Sequence, residues 1–175
     1  APPAAGRVDR SGLVGAPPGK LVGPAPDTAP EVIGAIESAL AASGLLDAWV
    51  APDGTVGLVR PDGRSDVVLT AGSPAPGDSL AAVLRPLPDE TVAPDTVAAV
   101  LRAITLAPTA ERIGGAAVVI GRDGSFRLGS AVGYTHPTDA TFLGAPVQER
   151  RRLARLAELD LLIDANRAEH RRFTD

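Results

Sequence analysis

Cysteine is absent from this sequence, which removes disulfides, thiolate metal sites and cysteine nucleophiles together. Its absence says nothing about compartment, since a cysteine-free chain folds equally well on either side of a membrane. Methionine is absent too, and aromatic residues make up only 3% of the chain. Core packing must therefore rest on Ala, Val, Leu and Ile. Lys20 is the single lysine against a background of arginine, a bias expected of a GC-rich bacterial genome. Histidine occurs twice, as His136 and His170, too thinly for a histidine-rich metal site. No run approaches the roughly 18 apolar residues that a membrane-spanning helix needs.

What is present points to a folded chain. Hydrophobic residues account for 45% of 175 positions, enough for a real core and against wholesale disorder. The length suggests one compact domain with an appendage. Net charge is −4 and unevenly placed. Residues 1–144 hold 10 Lys+Arg against 15 Asp+Glu, and residues 145–175 hold 7 against 6. This mildly acidic body does not favour non-specific nucleic-acid binding by itself. The opening "APPAAG" lacks a methionine, as expected of a processed or excised chain.

Residues 1–27 are rich in Pro, Gly and Ala and read as a loop or linker. The first clear element is expected to start near Thr28. There Thr28 and Glu31 form a T-x-x-E capping box, with Pro30 suited to a first helical turn. Val32, Ile33, Ile36, Ala39 and Leu40 share one helical face, and Gly44 supplies the stop. "LLDAWVAPDGTVGLVRPDGRSDVVLT" reads as short strands with hairpin turns at its two "PDG" sites. "DSLAAVLRPL" and "APDTVAAVLRAITL" read as short helices capped by Asp78 and Asp95. "AAVVIGRDGSFRLG" is the clearest hairpin. The resulting expectation is α+β: a compact mixed body over 28–145, built from short antiparallel hairpins and packed helices. From Pro146 to Phe173 no glycine or proline interrupts the pattern. Leu156, Leu159, Ile163, Asn166, His170 and Phe173 fall on heptad a and d positions. Residues 146–175 are thus expected to begin a projecting coiled-coil helix of about 28 residues, on the order of 40 Å long.

Several stretches carry chemically versatile residues. "GAPPGK" at 15–20 is one residue too short for a phosphate-binding loop. Leu21 replaces its Ser/Thr, and two prolines remove amide donors. The Asp-Gly sites lack the D-x-D-x-D-G spacing of a calcium loop and read as turns. "YTHPTD", Tyr134–Asp139, gathers a histidine and a carboxylate without the partners a metal site needs. "RLGSAVG" lacks the G-x-S-x-G spacing of a hydrolase elbow. No catalytic, metal or cofactor residue is assigned, and no cofactor is expected. A secreted actinobacterial ligand-binding or hydrolytic domain, with its site at Tyr134–Asp139, stands as the alternative. Arg150, Arg151, Arg152 and Arg155 could meet DNA phosphates. The plainer reading of these arginines is a solvated helix face, with Glu149 and Glu158 close by to pair.

Three blocks taken together resemble a known family. "GAIESALAASGLLDAWVAPDG" (34–54) is similar to the segment opening the hinge of the SMC-like ATPase of bacterial Wadjet-type anti-plasmid systems, relatives of the MukB and MksB condensins. "DSLAAVLRPL" fits the intervening pattern. "DGSFRLGSAVG" followed by "FLGAPVQERRRLARLAELDLLI" is similar to the closing segment, where the chain enters the outgoing coiled coil. The resemblance spans roughly residues 15–170 and rests on the order of small motifs rather than on a catalytic signature.

The resemblance implies a homodimerising hinge without ATPase activity of its own, since the head motifs are absent. It implies a cytoplasmic, nucleoid-associated setting in a DNA-loop-extruding complex. That complex would carry kleisin, KITE and TOPRIM-nuclease subunits that bind mainly elsewhere, and no membrane partner. The incoming arm expected of such a hinge is replaced by a Pro/Gly-rich start, as in an excised hinge keeping its outgoing arm. Gly114, Gly115, Gly129 and Gly133 bracket the clear hairpin, where close backbone approach to a second copy is possible. They are the candidates for the dimer interface, although strand-end glycines more often simply serve turns.

Overall fold

The computed structural model describes residue 10, residues 13–52, 67–111 and 118–143, and residues 149, 153, 156, 159 and 163. Within these the chain is a mixed α/β body. In order, it forms α1 (Pro18–Leu21), β1 (Val22–Pro24), α2 (Pro30–Ala42), β2 (Trp49–Val50) and β3 (Val68–Leu69). A 3-10 turn at Leu80–Ala82 follows, then β4 (Leu84–Pro86), α3 (Pro94–Ala103), β5 (Thr105–Ala107), β6 (Val118–Gly121), β7 (Ser125–Leu128) and β8 (Ala131–Tyr134).

Both longer helices begin the same way. α2 and α3 each carry proline at N1 behind an alanine N-cap with ψ near 138–139°. Proline drives the preceding residue into extended backbone, and its missing N–H is one the first turn would leave unpaired. The capping box expected at Thr28 does not form: the Thr28 hydroxyl donates instead to the Val83 carbonyl at 3.2 Å. Nor is Asp95 the cap of α3. It lies in the first turn, where its charge complements the helix dipole. The apolar stripe of α2 is as expected: Ile33, Ile36, Ala39 and Leu40 are buried. Gly44 follows the helix with φ 75°, and its N–H donates to the Ala41 carbonyl.

The largest sheet has the order β5-β6-β7-β8, with β5 and β6 parallel and the remaining pairs antiparallel. The expected hairpin is its centre, turning through Arg122–Gly124 with Gly124 at φ 92°. β2 and β3 pair in parallel; the hairpin turns expected at the two "PDG" sites lie, apart from Pro52, outside the described residues. A further expectation is corrected. "DSLAAVLRPL" is a single 3-10 turn followed by a strand rather than a helix capped by Asp78. The Asp78 carbonyl accepts from Leu106 N–H, and Leu80 N–H donates to the Ile104 carbonyl. Pairing along β5 has taken the backbone groups that a helix would have used internally.

The main core gathers Leu21, Val22, Ile36, Leu40, Leu80, Leu84, Val97, Leu101, Ile120 and Leu143. Leu21 and Val22 come from the stretch expected to be a linker. They are buried because α1 packs into the body and β1 pairs antiparallel with β4. Gly15, at φ 126°, passes so close to Trp49 and the Val50 carbonyl that a side chain has no room. Ahead of it, the Arg10 guanidinium lies 4.9 Å from the Trp49 ring centre and donates to the Asp47 carbonyl at 2.8 Å.

Candidate functional site

The two edges of the four-stranded sheet differ. The outer side of β5 is covered by residues 78–80, with a bridge between Ser79 and Thr105. No strand among the described residues covers the outer side of β8. Thr135 N–H donates to the Gly124 carbonyl. Antiparallel alternation therefore turns the main-chain groups of Gly133 and Ala131 toward β7, and those of Val132 and Tyr134 outward. The side chains of Val132 and Tyr134 are 46% and 57% exposed. Among the described residues no partner strand meets these outward main-chain groups, which stand beside exposed side chains, the feature that lets a sheet add a further strand.

The two described candidate glycines belong to this hairpin, and each has a role within it. Gly129 turns β7 into β8 at φ 59°, and a β-carbon there would meet open space. Gly133 faces Phe126 across the strand pair, and the aromatic ring occupies the place a side chain would take. Gly114 and Gly115 lie outside the described residues.

Beyond β8 the chain crosses α2 as a strap, residues 135–143. Ser38 Oγ accepts from Thr138 N–H at 3.1 Å and shares a second hydrogen bond with the Thr138 hydroxyl. The carboxylate of Glu37, only 4% exposed, accepts three successive backbone N–H groups. Thr141 N lies 2.6 Å from Oε1, and Phe142 N and Leu143 N each lie 2.8 Å from Oε2. The Thr141 hydroxyl adds a fourth bond at 3.1 Å. The sequence reading passed over Glu37, although a signal was there: it stands four residues after Ile33 and three before Leu40, a charge inside the apolar stripe. A carboxylate in such a place must have donors waiting for it.

The polar residues of "YTHPTD" are spread along this path. Tyr134 ends β8, its ring edge-on to His136 with centroids 5.5 Å apart. Thr138 is engaged by Ser38, and Asp139 is exposed. Among the described residues no group of three or more His, Cys, Asp or Glu side chains could hold a metal ion. A second polar cluster closes the β6–β7 turn. Asp123 Oδ1 accepts from Ser125 Oγ and Ser125 N–H, while Ser125 Oγ accepts from Ala110 N–H. Burial, the largest influence on Asp123, opposes its ionisation. The hydrogen bonds from Ser125 and Thr109 outweigh it and hold the carboxyl below its ordinary value.

Past the strap, Leu153, Leu156, Leu159 and Ile163 have helical backbone and are 39–56% exposed. Their spacing sets them on one side of a helix. The other seam positions, Asn166, His170 and Phe173, lie outside the described residues, as do Arg150, Arg151, Arg152 and Arg155. No family model, curated protein or solved structure matches the chain.

Proposed function

We propose that this chain is a homodimerising hinge of an SMC-like, DNA-loop-extruding complex serving plasmid defence or chromosome organisation. Its task is to pair with a second copy and to hold a coiled-coil arm. The observation that carries the reading is the β8 edge, which no strand among the described residues covers, with Val132 and Tyr134 exposed beside outward main-chain groups. Two such edges meeting across a two-fold axis satisfy each other's hydrogen bonds, since an isologous contact sets the same surface against itself. The exposed side of Leu153, Leu156, Leu159 and Ile163 supports the second half of the reading. A helix with apolar residues at this spacing is stabilised by laying them against another helix. On this reading the domain supplies pairing and mechanical continuity, and the complex's ATPase, kleisin, KITE and nuclease chemistry resides elsewhere. DNA meets the start of the arm at Arg150, Arg151, Arg152 and Arg155, in a cytoplasmic, nucleoid-associated setting. Among the described residues no helix is long and apolar enough to cross a membrane.

Sedimentation equilibrium tests the pairing directly. A dimer at micromolar concentration is expected, and a chain that stays monomeric at tens of micromolar overturns the reading.

A further inference from the structure

The strap that follows β8 is tied down along its length. Thr135 N–H is bonded to the Gly124 carbonyl, and Pro137 lies where a side chain on Gly124 would reach. One helical turn further into the body, α2 presents Gly34, Glu37 and Ser38 on a single stripe. Gly34 passes against the Thr138 carbonyl with no space for a β-carbon. Ser38 holds Thr138, and Glu37 gathers the amides of Thr141, Phe142 and Leu143. Leu143 is then fully buried in the core.

A carboxylate that is 4% exposed is tolerated only while its acceptors are filled. All four of its hydrogen bonds come from strap residues within three positions of one another. The strap is correspondingly dependent on Glu37, because three consecutive N–H groups in irregular backbone have no ladder of their own to join. Each side leaves the other unsatisfied on separation. Breaking the contact therefore costs both sides at once, which favours opening as a unit over opening bond by bond.

We propose that Glu37 is a latch that docks residues 138–143 on α2 as one cooperative unit, and that this unit, Leu143 included, can open while the sheet and the rest of the core stay folded. Docked, the latch fixes the path on which the chain leaves the body; released, it frees that path from the body's orientation. The consequence for an arm rests on the function proposed above, whereas the latch itself lies within a single chain and does not depend on pairing.

Hydrogen exchange on the full chain, followed residue by residue at several low denaturant concentrations, tests this. In the wild type the amides of Thr141, Phe142 and Leu143 are expected to exchange through an opening with little denaturant dependence. The amides of Val119 and Ile120 in β6 should exchange only through the steeper global unfolding. Glu37→Ala should speed exchange at 141–143 by about a hundredfold, the scale of stranding groups bonded to a charge. The β6 amides should remain the slowest in the chain. Should Glu37→Ala fail to fold, the paired changes Ser38→Ala and Thr141→Val remove only hydroxyl contacts. They should accelerate the same strap amides by roughly tenfold. The proposal is overturned if strap and β6 amides share one opening energy and one denaturant slope in the wild type. It is equally overturned if the folded variants leave exchange at 141–143 unchanged. Because exchange is read at concentrations where the chain is monomeric as well as where it pairs, a failed latch and a failed dimer give different results.

Discussion

The ring of Phe126 lies over the α-carbon of Gly133, its direct partner across the β7–β8 pair, and occupies the space a β-carbon at 133 would need. Phe126 also packs against the main core, so its ring cannot swing away without loosening that contact. Gly133→Ala is therefore expected to cost about 1–3 kcal/mol, the range for overfilling a packed site. Urea unfolding at a concentration below dimerisation would measure it. In a Phe126→Leu background the smaller side chain should relieve the clash, and the cost of Gly133→Ala should shrink by more than about 0.5 kcal/mol. Equal costs in both backgrounds would remove Phe126 as the reason for the glycine.

The outward direction of Val132 makes a sharper test of the β8 edge. Its main-chain N–H faces away from β7 by the alternation that Thr135 and Gly124 set. Val132→Pro deletes an edge donor without taking a bond from the β7 ladder. If two copies join through β8, this variant should weaken dimerisation at least tenfold by sedimentation equilibrium. The melting temperature of the monomer should move by only a few degrees. Val132→Lys should act in the same direction by setting like charges near each other across the two-fold axis. A dimer indifferent to both changes would place the contact on another surface.

Much of this fold was legible in the sequence, but unevenly, and the reasons are physical. The stripe of α2 and the hairpin around Asp123-Gly124 follow from local periodicity and turn chemistry, which nearby residues determine alone. The 3-10 turn at Leu80–Ala82 was hidden because its competing partner, the β5 backbone at Ile104 and Leu106, lies more than twenty residues further along. The parallel register of Trp49 and Val68 is a tertiary choice that no turn motif encodes. Leu21 and Val22 look like linker residues because prolines and glycines surround them, and only the β1–β4 pairing shows why they are buried. Nothing in the sequence of the strap itself names the acceptor for its amides. Glu37, a hundred residues upstream, accepts three of them.

Acid should expose the hairpin turn. The carboxyl of Asp123 is held below its ordinary value in the folded chain, burial opposing and the Ser125 and Thr109 hydrogen bonds prevailing. A folded-state pKa below the unfolded one contributes stability that is complete above the unfolded value, near 3.9. That contribution is lost as pH falls through the lowered folded value. Asp89 shifts in the same direction, through hydrogen bonds from the Thr91 hydroxyl and amide. Stability measured by urea from pH 6 to pH 2 should therefore fall most steeply below about pH 4. Asp123→Asn should flatten part of that acid limb while its difference from wild type stays constant above about pH 5. An unchanged limb would show that the turn does not depend on the charge.

Arg150, Arg151, Arg152 and Arg155 give the last prediction, and salt is its measure. Four arginines within six residues of sequence can neutralise phosphates on one stretch of duplex, and each neutralised phosphate releases condensed counterion. The slope of log affinity against log salt then steepens by about 0.9 per contact. Replacing all four by glutamate should weaken duplex binding across sequences alike and flatten the slope by about 3–4. Single replacements should each remove about one unit of slope or less. Specific base reading would instead show as a loss confined to particular sequences. If the wild-type chain fails to retain DNA even at low salt, the arginines are a solvated face paired with Glu149 and Glu158. The hinge reading would then rest on β8 and the leucine stripe alone.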